Sequence, residues 1–264
     1  MKTIVFIPAR VAATRFPNKL LTQVQLPGNK RSSVLRCVYN RAIEAQHSFR
    51  HFDEDGMELY VVTSDVAIVN EVHSWGGQCI YIDEAELSIE HSIRNGTERC
   101  FYALQQMGQE HNPKLRIINV QGDEYIHPDM LLQLVRIYPR CTLATLVTPY
   151  TVSSSHIVVN DVKAVLARNE MILYFSRTNL PHNRKPESRL QTHLHLGVYM
   201  YSTADLCAYV GWDPTPGELT EGLEQLRFLE CGKVMAAGVT TLPSVSVNVP
   251  RDIELLQQAL QGNS

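Results

Sequence analysis

Three cations, Arg10, Arg15 and Lys19, crowd the stretch IPARVAATRFPNK (residues 7–19), and no acid lies among them. Like charges placed so closely repel one another unless something negative sits between them. The stretch leaves a short apolar run, Ile4-Val5-Phe6-Ile7, and Ala9, Ala12 and Ala13 are small enough to bring backbone N–H groups close to a ligand. Thr14 adds a hydroxyl. Backbone donors beside compact positive charge suit the oxygens of a polyphosphate. The loop is neither a Walker A sequence (no GK[ST]) nor a dinucleotide fingerprint (no GxGxxG). The plainer reading, cations on a solvated loop, stands beside this one.

A second signal is NVQGDEYIHP (119–128), where Gly122 allows a tight turn after an apolar strand and Asp123 and Glu124 emerge from it. A carboxylate at that edge, across from a phosphate cradle, suits Mg²⁺ held by one or two carboxylates and phosphate oxygens. Asp123 as a cap of the following turn is the alternative. Together the two signals favour nucleoside-triphosphate chemistry over a dehydrogenase.

The elements that must position these residues follow from the pattern. Thr3–Pro8, Glu58–Thr63, Cys79–Ile82 and Arg116–Val120 are predicted strands. Ser32 or Ser33 opens a helix to about Gln46, a second runs from about Val66 to Trp75 before Gly76-Gly77, and Thr97 is placed to cap a third to Met107. This βα alternation predicts a mainly parallel sheet covered on both faces, with ligands beyond the carboxyl ends of its strands. His47–Gly56 is polar and aperiodic, a surface loop. Past residue 140 come closely connected strands, antiparallel or mixed, then a helical segment near Thr220–Cys231, a strand at Val234–Val239 and a helix after Pro250.

Bulk properties narrow the classes. The chain has 264 residues, 44% hydrophobic and 19% charged, enough for one large α/β domain. Net charge is -3 with no long basic run, which argues against nucleic acid as a partner. Apolar runs are strand-sized, too short to span a bilayer, and Pro8 and Arg10 break the first before it could serve as a signal-peptide core. Six scattered cysteines without a CxxC pair are expected to be reduced thiols of a cytoplasmic protein.

The opening pattern IPAR-x-A-x-TR-x-P-x-K resembles the start of the 3-deoxy-manno-octulosonate (Kdo) cytidylyltransferases. The resemblance continues in order through NGTER (95–99), NVQGDE (119–124), VK (162–163), LYFSR (173–177), HLGVY (195–199) and LEQLR (223–227). It implies a nucleotide-diphospho-sugar transferase fold, Rossmann-like and GT-A-like, with a mixed, mainly parallel central sheet. It also implies a single domain, with a nucleotide-binding core at about 1–140 and 212–264 and a dimerisation and sugar-binding lobe at about 141–211. The implied reaction joins CTP to Kdo or a close 3-deoxy-2-ulosonic acid, releasing pyrophosphate, for lipopolysaccharide or capsule synthesis by a homodimer. Arg10, Arg15 and Lys19 would neutralise the leaving phosphates, with Arg10, Thr14, Arg15, Lys19, Asn95, Gly96, Thr97 and Gln121 around the nucleotide. Arg177, His195, Tyr199, Glu224 and Gln225 match positions that face the sugar acid, and Asp123 would hold Mg²⁺. Taken without the family, the His193/His195 alternation is as consistent with a structural pair, and Glu224 and Arg227 as a surface pair at i and i+3.

The sequence departs from that family at several points. Ala13 stands where a serine is usual and Asn18 where a glycine is, and the 47–56 loop is long. The late VDTPED reads VNVPRD, putting Asn248 at the second metal-carboxylate position. Asn248 as a cap of the helix after Pro250 is the alternative. These departures keep two other readings in view: a nucleotide-binding paralogue without turnover, and a cytidylyltransferase for sialic-type acids.

Overall fold

A computed structural model describes residues 1–12, 16–49, 56–87, 93–152, 160–182, 184 and 190–262. The chain begins with β1 (Lys2–Pro8), buried at every position from Thr3 to Pro8, as expected of a parallel strand covered on both faces. A small hairpin of β2 (Gln23–Gln25) and β3 (Arg31–Ser33) leads into α1 (Val34–Phe49), where the Ser33 hydroxyl accepts from Arg36 N–H at 3.2 Å. Next come β4 (Met57–Thr63), α2 (Val66–Ser74), β5 (Cys79–Tyr81), α3 (Gly96–Gln106) and β6 (Leu115–Val120). Strands β4 and β6 flank β1 in parallel, and β5 continues beyond β4.

After β7 (Glu124–Ile126) and α4 (Asp129–Ile137), the chain adds β8 (Ala144–Val152), β9 (Lys163–Leu166), β10 (Ile172–Ser176) and the long β11 (Leu190–Ser202). Strand β11 runs antiparallel to β6, β8 and β9, so the second half extends the same sheet rather than starting another. Helices α5 (Thr203–Val210), α6 (Pro216–Glu221) and α7 (Leu226–Glu230) follow, then β12 (Ala236–Val239), β13 (Ser244–Ser246) and α8 (Asp252–Gln261). Among the described residues the central sheet has nine strands; β13 pairs separately with β7. Alternate residues of β1 feed two cores. Val5 and Ile7 join α1, α2, α4 and α8, whereas Ile4 and Phe6 join α3, α5 and α7.

The structure moves some expected boundaries. α1 continues to Phe49, through the start of the expected 47–56 loop; residues 50–55 lie outside the described ones. Asn95, not Thr97, caps α3: its side chain accepts from Glu98 N–H, because a cap must sit one residue before the first helical turn. The helical segment expected at Thr220–Cys231 is two short helices, parted by Gly222 at φ 62, where a side chain would be strained. Asn248 does not cap α8. Its backbone N–H and that of Val249 donate to the Asp252 carboxylate, at 2.7 and 2.8 Å, so the acid of the first turn gathers the loop instead.

Candidate active site

The carboxyl ends of β1 and β6, the middle of β11, the α6–α7 segment and the approach to α8 enclose a cleft of about 1300 Å³. Of the expected site residues, Thr14 and Arg15 lie outside the described ones, as does Ala13. All the others except Thr97 line this cleft.

One wall is charged and open. Arg10 follows β1 and is exposed, with no hydrogen bond or ion pair among the described residues. Asn18 sits at φ 57, a left-handed conformation that asparagine and glycine share, so the glycine usual there is replaced without strain. Lys19, next in the chain, forms an ion pair with Asp123 and donates to the Val247 carbonyl at 3.2 Å. The anion sought by the cationic loop is therefore, in part, Asp123. Gly122 permits this approach, since a Cβ there would lie 3.0 Å from the Pro8 carbonyl and 3.2 Å from Leu20. The backbone carbonyl of Asp123 accepts from Val247 N–H at 2.9 Å, which brings the Asn248 segment alongside.

This donor set decides what cation the wall could hold. The described residues contain no cluster of three or more His, Cys, Asp or Glu fit for a metal ion. One carboxylate with an oxygen left over from the Lys19 pair, beside one amide, is too little for a protein-only cage. It does fit Mg²⁺ that draws most of its ligands from phosphate and water.

Opposite lies a wall of buried and half-buried, mutually bonded groups. At the start of α3, the Asn95 amide donates to the Tyr209 hydroxyl at 3.0 Å while its oxygen caps the helix. Gly96 makes room for Gln121, whose amide would lie 2.7 Å from a Cβ. Gln121 in turn donates to Glu224 at 3.2 Å, and Thr97 N–H donates to the other Glu224 oxygen at 3.1 Å. Burial, opposed by the Thr97 N–H, pushes the Glu224 carboxyl up to about 7. The Thr97 hydroxyl meets that of Tyr201 at 3.0 Å in the interior, so Thr97 faces the core rather than the cleft.

Arg177 is fixed by Nε donating to the Glu221 carbonyl at 2.7 Å. Tyr199 donates to Gln225 at 3.3 Å. His195 Nε2 meets the Thr145 hydroxyl at 2.9 Å, and the Phe175 ring stands edge-on at 5.0 Å. Burial pushes the His195 imidazole down to about 3. The pairing of β11 with β8 carries a register shift between Leu196 and Tyr199, the segment that bears His195 at its edge. Gly197 lies within it, where a Cβ would stand 3.1 Å from Glu124.

A buried charged cluster, Arg227 with Glu218 and Glu98, escapes sequence reasoning. Arg227 is fully buried; it makes two 2.6 Å hydrogen bonds to Glu218 and one of 3.0 Å to Glu98. It does not pair with Glu224 on the surface. The spacing of Asn95 and Glu98 is that of a capping box, and the apolar neighbours Leu226 and Phe228 hint at burial; neither identifies the partner. Glu124, also buried, accepts from the Ser246 hydroxyl, and its Oε1 has no partner among the described residues. Burial pushes its carboxyl up to about 7.

Residues 4–235 match the cytidylyltransferase family model. The 3-deoxy-manno-octulosonate cytidylyltransferase of Bacteroides thetaiotaomicron is 32% identical over the whole of both chains, and that of Myxococcus xanthus 34% identical over 98% of this chain and 97% of its own. The chain belongs to the 3-deoxy-manno-octulosonate cytidylyltransferase family. A solved CMP:2-keto-3-deoxy-manno-octonic acid synthetase complexed with CTP shares the fold of this family member over 100% of both chains, with a TM-score of 0.79 and 25% identity. At 11% identity and a TM-score of 0.57, the inositol-1-phosphate CTP transferase from T. maritima shares the fold alone. No helix among the described residues is long and apolar enough to cross a membrane.

Proposed function

We propose that this cytidylyltransferase couples CTP to 3-deoxy-D-manno-octulosonate, or a close 3-deoxy-2-ulosonic acid, giving the CMP-sugar and pyrophosphate. The observation that carries the reading is the two-sided cleft: free positive charge beside Asp123 on one wall, a cation and fixed hydrogen-bonding groups on the other. The sugar's anomeric hydroxyl attacks the α-phosphorus as pyrophosphate leaves. Arg10 and Lys19, with Arg15 from the same loop, neutralise charge on the departing oxygens. Asn95, Gly96 and Gln121 bound the nucleotide's base and ribose. Arg177 takes the acid's carboxylate, and His195, Tyr199, Glu224 and Gln225 orient its hydroxyls, so the wall acts mainly by positioning. Asp123, with Asn248 beside it, would hold Mg²⁺, which supplies charge neutralisation across the phosphates.

The product serves lipopolysaccharide or capsule synthesis on this reading, and the six unpaired thiols favour the cytoplasm. A homodimer built on the second half is consistent with Leu173 and Tyr174, exposed on β10 at the end of the strand order.

The test is pyrophosphate release from a panel of nucleoside triphosphates crossed with ulosonic and sialic-type acids. CTP with Kdo or a near relative is the productive pair. No turnover with any pair overturns the enzyme reading. A second reading, a CTP-binding paralogue without turnover, is favoured by Asn248 in place of a carboxylate; its mark is CTP binding by calorimetry with no pyrophosphate.

A further inference from the structure

His195 touches a residue that sequence reasoning gave no role. Thr145, on β8, is fully buried opposite the β11 register shift. Its hydroxyl oxygen lies 2.7 Å from the Val198 carbonyl and 2.9 Å from His195 Nε2. A backbone carbonyl only accepts, and two oxygens at such a distance need a proton between them. Thr145 has one proton, so it goes to Val198. The hydroxyl must then accept from His195, which places the imidazole proton on Nε2. The depressed imidazole of His195 keeps the ring neutral, so no second proton sits on Nδ1.

The ring is held in this pose from several sides. The His195 backbone N–H donates to the Val162 carbonyl at 2.8 Å, and the rings of Phe175 and Tyr199 stand 5.0 and 5.1 Å from the imidazole, centre to centre. Nδ1 has no protein partner among the described residues, and His195 lines the cleft.

We propose that Thr145 is a positioning residue that fixes His195 as the Nε2–H tautomer, so that the cleft offers a bare Nδ1 to a hydroxyl of the sugar acid and not to its carboxylate. A lone pair facing a carboxylate would repel it, whereas a hydroxyl donates to it. The inference about the substrate rests on the proposed function, with the carboxylate assigned to Arg177; the inference about the tautomer does not.

The experiment therefore has two arms. In the first, ligand-free protein is labelled with ¹⁵N-histidine, and long-range ¹H–¹⁵N correlation reads the tautomer of each of the ten histidines. His195→Gln assigns the signal. The wild type shows His195 protonated on Nε2 alone; Thr145→Val, lacking the acceptor, shows averaged tautomers, and Thr145→Ser restores the single form. An Nδ1–H or averaged signal in the wild type overturns the proposal, as does an unchanged signal in Thr145→Val.

In the second arm, Thr145→Val raises KM for the sugar acid on the order of tenfold, one neutral hydrogen bond's worth, with KM for CTP within about twofold. Thr145→Ser brings the acid KM back. An acid KM unmoved by Thr145→Val overturns the hydroxyl assignment. Should the enzyme turn over no acid at all, the first arm still decides the tautomer, so the two failures are distinct.

Discussion

The two walls of the cleft are built by opposite means. On the wall we assign to phosphate, Arg10, Asp123 and Asn248 sit on connections at the strand ends, and Lys19, at the start of a single 3-10 turn, is held by little more than its pair with Asp123. On the opposite wall, Glu224, Gln121 and Thr97 N–H interlock, Tyr199 and Gln225 pair, and His195 is pinned by Thr145. Behind them the Glu98–Arg227–Glu218 cluster joins α3 to α6 and α7. Charge that must meet a mobile triphosphate tolerates loose placement, because Coulomb attraction is long-ranged and weakly directional. Discriminating one sugar acid from another requires donors and acceptors fixed to fractions of an ångström, hence strands, helices and burial.

The comparison can be broken first at Asp123. Asp123→Asn leaves the phosphate wall with two neutral candidates for metal binding and should lower kcat/KM by more than about 4 kcal/mol in transition-state terms. Retained Mg²⁺-dependent turnover would place the metal elsewhere. Next is the support of the opposite wall: Arg227→Met strands Glu98 and Glu218 as buried charges and should cost about 3–4 kcal/mol of stability by denaturant unfolding. A midpoint shift too small to resolve would mean that the cluster is dispensable.

Lys19→Ala should cost about 2–4 kcal/mol in CTP use, since a phosphate loses a charge-assisted partner, while unfolding stays near wild type. Full activity would show the cradle misassigned. A smaller effect reads the dryness of the wall at Glu224. Its folded carboxyl lies near 7 against an ordinary 4.5, so the folded state binds the proton more tightly. Stability from this group is fully present below about 4.5 and is lost as pH rises through about 7. Relative to Glu224→Gln, the wild type should lose on the order of 1–3 kcal/mol across that window. Parallel curves would mean an unperturbed Glu224. The smallest change is Asn248→Asp, which adds a charge beside Asp123 and should lower the Mg²⁺ concentration for half-maximal rate by a few-fold. An identical titration would mean that Asn248 is no ligand.

The βα alternation and the charged residues at the strand ends were legible in the sequence because their signals are local. A buried strand, a capping serine and a cationic loop each occupy a few adjacent residues. The other wall was legible only through the resemblance, since its meaning lies in contacts across the chain. Thr97 reads as a helix cap until the helix start is known; its hydroxyl then proves to belong to Tyr201, 104 positions away. Arg227 looked like a surface partner of Glu224, but its partner Glu98 is 129 positions distant. Thr145 carries no motif at all. Only the register of β8 against β11 brings it to His195.

The division of labour between the walls is tested most directly by CTP binding, measured by calorimetry, in Lys19→Ala and His195→Ala beside the wild type. Lys19→Ala should weaken CTP on the order of tenfold or more. His195→Ala should leave the CTP dissociation constant unchanged while raising KM for the sugar acid. CTP weakened as much by His195→Ala as by Lys19→Ala would contradict the account.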